Sequence, residues 1–328
     1  MERHPLLALI FIALGPAISP AQGQSFEFAF LGDNPYGGAF NVPKFQALIE
    51  DVNGWGDIEW VIHAGDTKAG ADSCSDGFMR SRFNLYQGFD PPFVFTPGDN
   101  DWFDCGRAAA GGFSDYERLA FLRGLFFPVP EQTTGVRPMA VRPQSSDPAF
   151  GEFVENVTWE KGGVVFSTLH LIGIARAPTD PTVAERRMDA AIAWTRATFA
   201  RAHELESPGV LLATQVDPWR ISGLPVLLRA MCPLCTEPSG GMDRLYPVLV
   251  EESLGFDGPV VLAVGDTHIF RVDKPLYDPA TGRLVDNFTR VETFGNPLVH
   301  WVRVVVDPDA PSVFSFHQQM VAANVNQP

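Results

Sequence analysis

Runs of apolar residues, and the way each run ends, divide the chain into a repeated unit. Phe26–Leu31 is apolar without polar alternation and ends in Gly32-Asp33. Apolar residues then recur at helical spacing from Val42 to Val52, placing Phe45, Leu48, Ile49 and Val52 on one face. Ile58–Ala64 is a second strand-like run, ending in Gly65-Asp66, and Gly77–Tyr86 has a helical pattern. Pro92–Thr96 is a third run, ending in Gly98-Asp99. Ser114–Phe127 reads as a helix, with Ser114 as N-cap, Glu117 completing a capping box, and Leu119, Leu122 and Leu125 on the apolar side. The order is strand, helix, strand, helix, strand. Continuous apolar strands predict cover on both faces, as in a parallel sheet between helices.

The second half has a similar grammar. Phe153–Glu160 and Val164–Leu171 predict a strand pair turning at Gly162-Gly163. Ala184–Glu204 is the longest helical pattern, and Val210–Thr214 is a buried strand that runs into Gln215-Val216-Asp217-Pro218. Gly241–Leu254 reads as helical. Pro259–Val264 is a strand ending in Gly265-Asp266-Thr267-His268, followed by strand patterns at Ile269–Val272, Thr289–Phe294, Val299–Val306 and Val313–Phe316. No repeat or linker divides the chain, which predicts one domain over residues 24–328.

Residues 1–23 read differently. Arg3 and His4 precede the apolar run Leu6–Leu14, and Ser19 and Ala21 sit like the −3 and −1 positions of a cleavage site. This is the pattern of a secretory signal peptide cut near Ala21 or Gly23. The run falls short of the ~20 apolar residues a membrane span needs, and no later segment is a membrane span. The expected location is therefore secreted or periplasmic. An oxidising compartment favours disulfides among Cys74, Cys105, Cys232 and Cys235, with Cys74–Cys105 and Cys232–Cys235 the favoured pairing. A redox or zinc role for Cys232-Pro-Leu-Cys235 is the alternative. The formal net charge of the 328 residues is −15, which argues against a nucleic-acid scaffold as partner. An acidic protein handling phosphate needs local positive charge.

Four strand patterns end in Gly-Asp: Gly32-Asp33, Gly65-Asp66, Gly98-Asp99 and Gly265-Asp266. In open α/β sheets, ligands bind at the carboxyl ends of strands. Carboxylates gathered there repel one another unless a cation sits among them. The order of elements and these motifs resemble the calcineurin-like metallophosphoesterase superfamily, in a secreted branch with divergent metal-ligand motifs. The family's Asp-x-His corresponds to Asp33-Asn34-Pro35, its Gly-Asp to Gly65-Asp66, and its Gly-Asn-His-Asp/Glu to Gly98-Asp99-Asn100-Asp101. Its lone histidine corresponds to Gln215, and its Gly-His-x-His to Gly265-Asp266-Thr267-His268. The resemblance covers most of residues 26–306. It implies an α/β fold of the four-layer type, metallophosphatase-like, with two packed mixed β-sheets flanked by helices. It also implies a metal-ligand set of Asp33, Asp66, Asp99, Gln215, Asp266 and His268.

Pro35, Asn100, Gln215 and Asp266 stand at usual histidine positions. The donor set is richer in oxygen than the parent pattern, which favours Mn, Mg, Ca or Fe over Zn, as one ion or two. The resemblance implies a secreted metal-dependent hydrolase of phosphate esters, acting on a small phosphorylated substrate by attack of a metal-bound water or hydroxide. Asn100 replaces the histidine that assists the transition state, and it can donate a hydrogen bond but not a proton. Asp101, Lys68 and His63 are candidates for that missing role, with a buried structural histidine the alternative for His63. The opposed reading is a catalytically impaired protein of the same fold that binds an extracellular ligand or partner. His170, His203, His300 and His317 read as structural or surface residues. Trp102, Phe103 and Trp219 read as a substrate wall or as packing. Arg186 and Arg187 read as a solvated helix face. Asn156 and Asn287 head glycosylation sequons. No Gly-x-Ser-x-Gly elbow, Walker A loop or dinucleotide fingerprint is present.

Overall fold

A computed structural model describes residues 23–37, 41–172, 181–219 and 242–325. The leader, Cys232 and Cys235 lie outside these residues, apart from Gly23. In chain order the elements begin β1 (Phe26–Leu31), α1 (Val42–Trp55), β2 (Ile58–His63), α2 (Asp76–Tyr86), β3 (Phe93–Phe95) and α3 (Asp115–Phe126). They continue with β4 (Arg142–Pro143), β5 (Val157–Lys161), β6 (Val164–Thr168), α4 (Pro181–Glu204), β7 (Val210–Ala213), α5 (Tyr246–Leu254), β8 (Val260–Val264) and β9 (Arg271–Asp273). The last are β10 (Phe288–Glu292), β11 (Trp301–Val306), β12 (Phe314–Gln319) and the short α6 (Ala322–Val325).

Two mixed sheets result. The first has order β12-β11-β1-β2-β3 and the second β4-β5-β6-β7-β8-β10-β9. β1, β2 and β3 are parallel, as are β6, β7, β8 and β10. The four late strand patterns divide between the sheets. β9 and β10 extend the second, whereas β11 returns to lie antiparallel to β1, with β12 outside it.

Strand alternation sorts side chains into three apolar layers. Phe26, Phe28, Phe30, Trp60 and Ile62 of the first sheet meet Trp159, Phe166, Leu211, Val261 and Val291 of the second. The opposite faces turn to helices: Ala29 and Leu31 pack with Phe45, Leu48 and Val52 of α1, while Val210 and Leu212 pack with Trp194 and Phe199 of α4. Helices on the outside and two sheets between them make the four-layer α/β arrangement that the motif resemblance implies. It explains why the strands are apolar throughout, since both faces are buried.

Two local expectations are corrected and one open alternative is decided. Ser114 makes no side-chain cap, and Glu117 pairs with Arg118 rather than completing a capping box. Arg187 is buried against Glu155, at 2.9 Å, rather than solvated. Trp102, Phe103 and Trp219 are buried packing residues, not an open wall.

Candidate functional site

The carboxyl ends of strands from both sheets meet at one edge. The backbone is left-handed at Asp33, Asp66, Asp266 and His268, with φ of 52°, 54°, 80° and 65°. Non-glycine residues held in this region cost free energy and cluster at functional sites. The chain is stitched across the edge by Asp33 N–H to Gly65 O (2.9 Å), Asn296 N–H to Asp33 O (3.0 Å) and Gly265 N–H to Gln215 O (3.0 Å). Two glycines allow the close approach. A Cβ on Gly98 would stand 2.0 Å from Asp66 Oδ1, and one on Gly265 would stand 2.1 Å from Asp33 Oδ2. These two Gly-Asp glycines therefore each make room for the aspartate of another strand end, whereas Gly32 and Gly65 let backbone approach backbone.

Asp33 and Asp66 are buried, 0% and 3% exposed. Gln215 Nε2 donates to Asp33 Oδ1 and to Asp66 Oδ2, both at 3.2 Å. The Tyr36 hydroxyl reaches the same two oxygens, at 3.4 and 3.2 Å. Asn100 Nδ2 donates to Asp66 Oδ2 at 2.7 Å, and its backbone N–H to Asp66 Oδ1 at 3.1 Å. His268 Nε2 lies 3.5 Å from Asp33 Oδ1 and 3.4 Å from the Tyr36 hydroxyl. Its Nδ1 is 2.6 Å from Asn296 O, which fixes the ring and leaves Nε2 facing inward. Asp33, Asp66, Asn100, Gln215 and His268 are thus brought together.

The other predicted residues take different places. Asp266 turns its backbone N–H to Asp33 Oδ2 (3.0 Å), while its carboxylate accepts the Asp217 N–H (3.4 Å). Asp99 is half-buried and acts on Asp66 through its charge. Asp101, expected as a proton donor or acceptor, accepts the N–H groups of Asp66, Thr67 and Gly98, each at 2.8 Å, and the Thr67 hydroxyl at 2.6 Å. With both oxygens engaged it braces the Asp66 loop from behind. Lys68, expected to meet substrate, is 1% exposed and donates to Ala69 O at 3.1 Å. It offsets the surrounding carboxylates from inside the fold. His63 is buried among Phe45, Tyr86, Phe93 and Phe95, with Nε2 3.0 Å from Asn34 O, and is structural. Pro35 offers no ligand, and the Tyr36 phenol beside it enters the site instead. Tyr36 was not singled out by the sequence, although it closes the Asp33-Asn34-Pro35-Tyr36 run.

Burial and the charges of Asp99, Asp33 and Asp101 push the Asp66 carboxyl well above its ordinary range, against the opposing hydrogen bond from Asn100. Burial, Asp66 and Asp33 likewise raise the Tyr36 phenol well above its usual value, so it is a neutral donor. Burial alone would lower His268, but the hydrogen bond and charge of Asp33, the Asn296 carbonyl and Asp266 outweigh it and raise the imidazole. Among the described residues no three His, Cys, Asp or Glu side chains form a ready cage. The donor chemistry nevertheless fits one hard divalent cation. Two carboxylate oxygens face a shared pair of donors, an imidazole nitrogen points inward, and rotation of the Gln215 amide would present Oε1 in place of Nε2.

No protein-family model matches the chain, and no curated protein is similar to it in sequence. Two solved structures are similar to it in overall shape. PhoD aligns with a TM-score of 0.48 at 14% identity, over 88% of this chain and 66% of PhoD. A 5′-nucleotidase from Candida albicans SC5314 aligns with a TM-score of 0.47 at 12% identity, over 92% of this chain and 53% of the nucleotidase. The chain thus spans less than two-thirds of either protein.

Proposed function

We propose that this chain is an exported, metal-dependent hydrolase of phosphate esters, with residues 24–328 as its single domain. Asp33, Asp66, His268 and, through its amide oxygen, Gln215 would hold one divalent cation. The carrying observation is the pair Asp33 Oδ1 and Asp66 Oδ2, buried on neighbouring strand ends and aimed at the same amide and phenol. Burying two carboxylates together is costly unless a cation or donors compensate. A bound divalent ion supplies Lewis-acid polarisation of the ester and lowers the pKa of water.

The chain's own groups do the rest. Asn296 O orients His268. Asp101 and the left-handed turns hold the two aspartates in place. Asn100, half-buried, would turn its amide from Asp66 and Tyr36 to donate to charge that develops on a substrate oxygen. The Cys74–Cys105 disulfide suits an oxidising compartment, as does the leader pattern. Among the described residues no helix is long and apolar enough to cross a membrane.

Elemental mass spectrometry of protein purified without chelator or metal-affinity resin tests this. About one equivalent of a divalent metal is expected, lost together with hydrolysis in Asp66→Ala. Failure to take up Mn²⁺, Mg²⁺ or Ca²⁺, with hydrolysis unchanged in that variant, would overturn it. One feature favours the impaired, ligand-binding reading: Gln215, Asn100 and Tyr36 already satisfy with neutral donors the oxygens a cation would take. That reading predicts no turnover of any phosphate ester with any divalent metal.

A further inference from the structure

Beside the acidic edge lies a cation that the site described so far leaves unused. A Cβ on Gly70 would stand 2.4 Å from Arg107 Nη1, 2.8 Å from Asn100 Oδ1 and 2.8 Å from Asp104 Oδ2. The missing side chain at Gly70 leaves the space on which the guanidinium, the Asn100 amide oxygen and the Asp104 carboxylate converge. Asn100 is polarised accordingly, with Nδ2 on Asp66 and Oδ1 on the Arg107 side. Asp104, 1% exposed, holds Arg107 Nη2 at 2.6 Å, while the arginine side chain remains 39% exposed. One edge of the guanidinium is therefore anchored, and Nη1 stands at the rim next to Asn100.

The anchor is rigid. Arg107 sits between two short helical turns, Phe103–Gly106 and Ala108–Ala110, and the Cys74–Cys105 disulfide ties this segment to the Gly70 loop. Cys74 N–H reinforces the tie by donating to Ala110 O at 2.9 Å.

We propose that Arg107 is a specificity-determining residue, holding a terminal phosphate oxygen beside Asn100 and so selecting phosphomonoesters over phosphodiesters. The inference rests on the phosphoesterase reading. A monoester carries close to two negative charges and three terminal oxygens. A diester carries one charge and two terminal oxygens, with a carbon-bearing oxygen in the third place. An acidic edge repels the monoester more strongly, so a fixed cation at the rim benefits it more. A guanidinium donates well to terminal phosphate oxygens and poorly to an ester oxygen. Lys68 cannot serve, because it is enclosed behind the aspartates.

The test uses the mature chain and its Arg107→Gln, Arg107→Lys and Gly70→Ala variants, each checked for native circular dichroism. Initial rates are measured on p-nitrophenyl phosphate and bis(p-nitrophenyl) phosphate, and inorganic phosphate binding by calorimetry. Arg107→Gln should lower kcat/KM for the monoester about 10- to 100-fold, as for a lost charge-assisted hydrogen bond, with little change for the diester. Its phosphate Kd should rise about tenfold. Arg107→Lys should fall between wild type and Arg107→Gln on the monoester. Gly70→Ala should weaken phosphate binding by displacing the guanidinium. Equal losses on both esters, or an unchanged phosphate Kd, would overturn the inference while leaving the phosphoesterase reading intact. Arg107-dependent phosphate binding without turnover of either ester would support the anion site and overturn the hydrolase reading. Neither binding nor turnover would overturn both.

Discussion

Gly98 and Gly265 stand where a methyl group would strike a carboxylate oxygen of another strand end. Gly98→Ala and Gly265→Ala should therefore shift Asp66 and Asp33, respectively, without removing any ligand. Displacement of a reacting group by about 1 Å can cost about 100-fold in rate, and overpacking costs about 1–3 kcal/mol in stability. Isothermal titration with Mn²⁺ and initial rates should show both variants impaired while the fold persists. An unaffected Gly98→Ala would mean that the Asp66 position is unimportant. The repeated Gly-Asp could be read from the sequence, and it points to the edge where strand ends of both sheets meet. The partner of each glycine could not, because it depends on how neighbouring strand ends abut. The same limit hid Tyr36 and Arg107. Their neighbours are brought by register and loop path, and nothing in their immediate sequence distinguishes them from packing or solvated residues. Asp101 was legible as part of a motif, but its three bonds to the Asp66 loop were not.

At the scale of elements, α3, α4 and the segment around β5 and β6 are joined by a buried charged cluster. Glu155 accepts from Arg123 of α3 (2.7 Å) and Arg187 of α4 (2.9 Å) and pairs with His170 Nδ1 (2.7 Å); His170 Nε2 in turn accepts from Trp102 (2.9 Å). Trp102 directly follows Asp101, so the cluster supports the loop that carries Asn100. Glu155→Gln should destabilise the protein by about 3–5 kcal/mol, because it leaves buried guanidinium charge uncompensated. A shift in urea midpoint would measure this. The pH dependence has a definite sign. Burial, then the Arg187 charge, lowers His170 to about 3, so its contribution is present above its ordinary value and lost as pH falls toward 3. Burial alone would raise Glu155, but His170, Arg123 and Arg187 together hold it well below its ordinary value, so its contribution is also lost on acidification. The urea midpoint should fall between pH 7 and pH 3, and less steeply in Glu155→Gln. Helical periodicity located α4 well, yet it placed Arg187 outside. A charge that is buried because of a partner 32 residues away leaves no trace in local periodicity. The sequon asparagines show the same dependence on distant partners: Asn156 is fixed by Gln144, and Asn287 by three carbonyls.

Over the whole molecule, the apolar strands and intervening helices sufficed to predict strands covered on both faces, and the motif resemblance implied two sheets, but neither told where the last strands would go. The run of four late strands gives no sign that β9 and β10 join one sheet while β11 and β12 cross to the other, since partner choice lies outside each strand's own pattern. The disulfide is a second long-range constraint. Cys74 and Cys105 are 31 residues apart, and closing a loop of that size is worth about 3–4 kcal/mol in the chain-entropy model. Reduction with dithiothreitol should lower the urea midpoint accordingly, and should weaken phosphate binding, because the tie also holds Arg107 at the rim. Unaltered phosphate affinity after reduction would show that the Arg107 segment keeps its place without the bridge. The site itself spans still greater distances. The Asp266 N–H meets a carboxylate 233 residues earlier in the chain, and Asn296 N–H closes on the Asp33 carbonyl. Synthesis delivers the Asp33 and Asp66 turns long before the segments from Gln215 onward that face them. A nascent or clipped chain ending before Gln215 would hold Asp33 and Asp66 without the amide, the Asp266 N–H and the imidazole that face them in the finished fold.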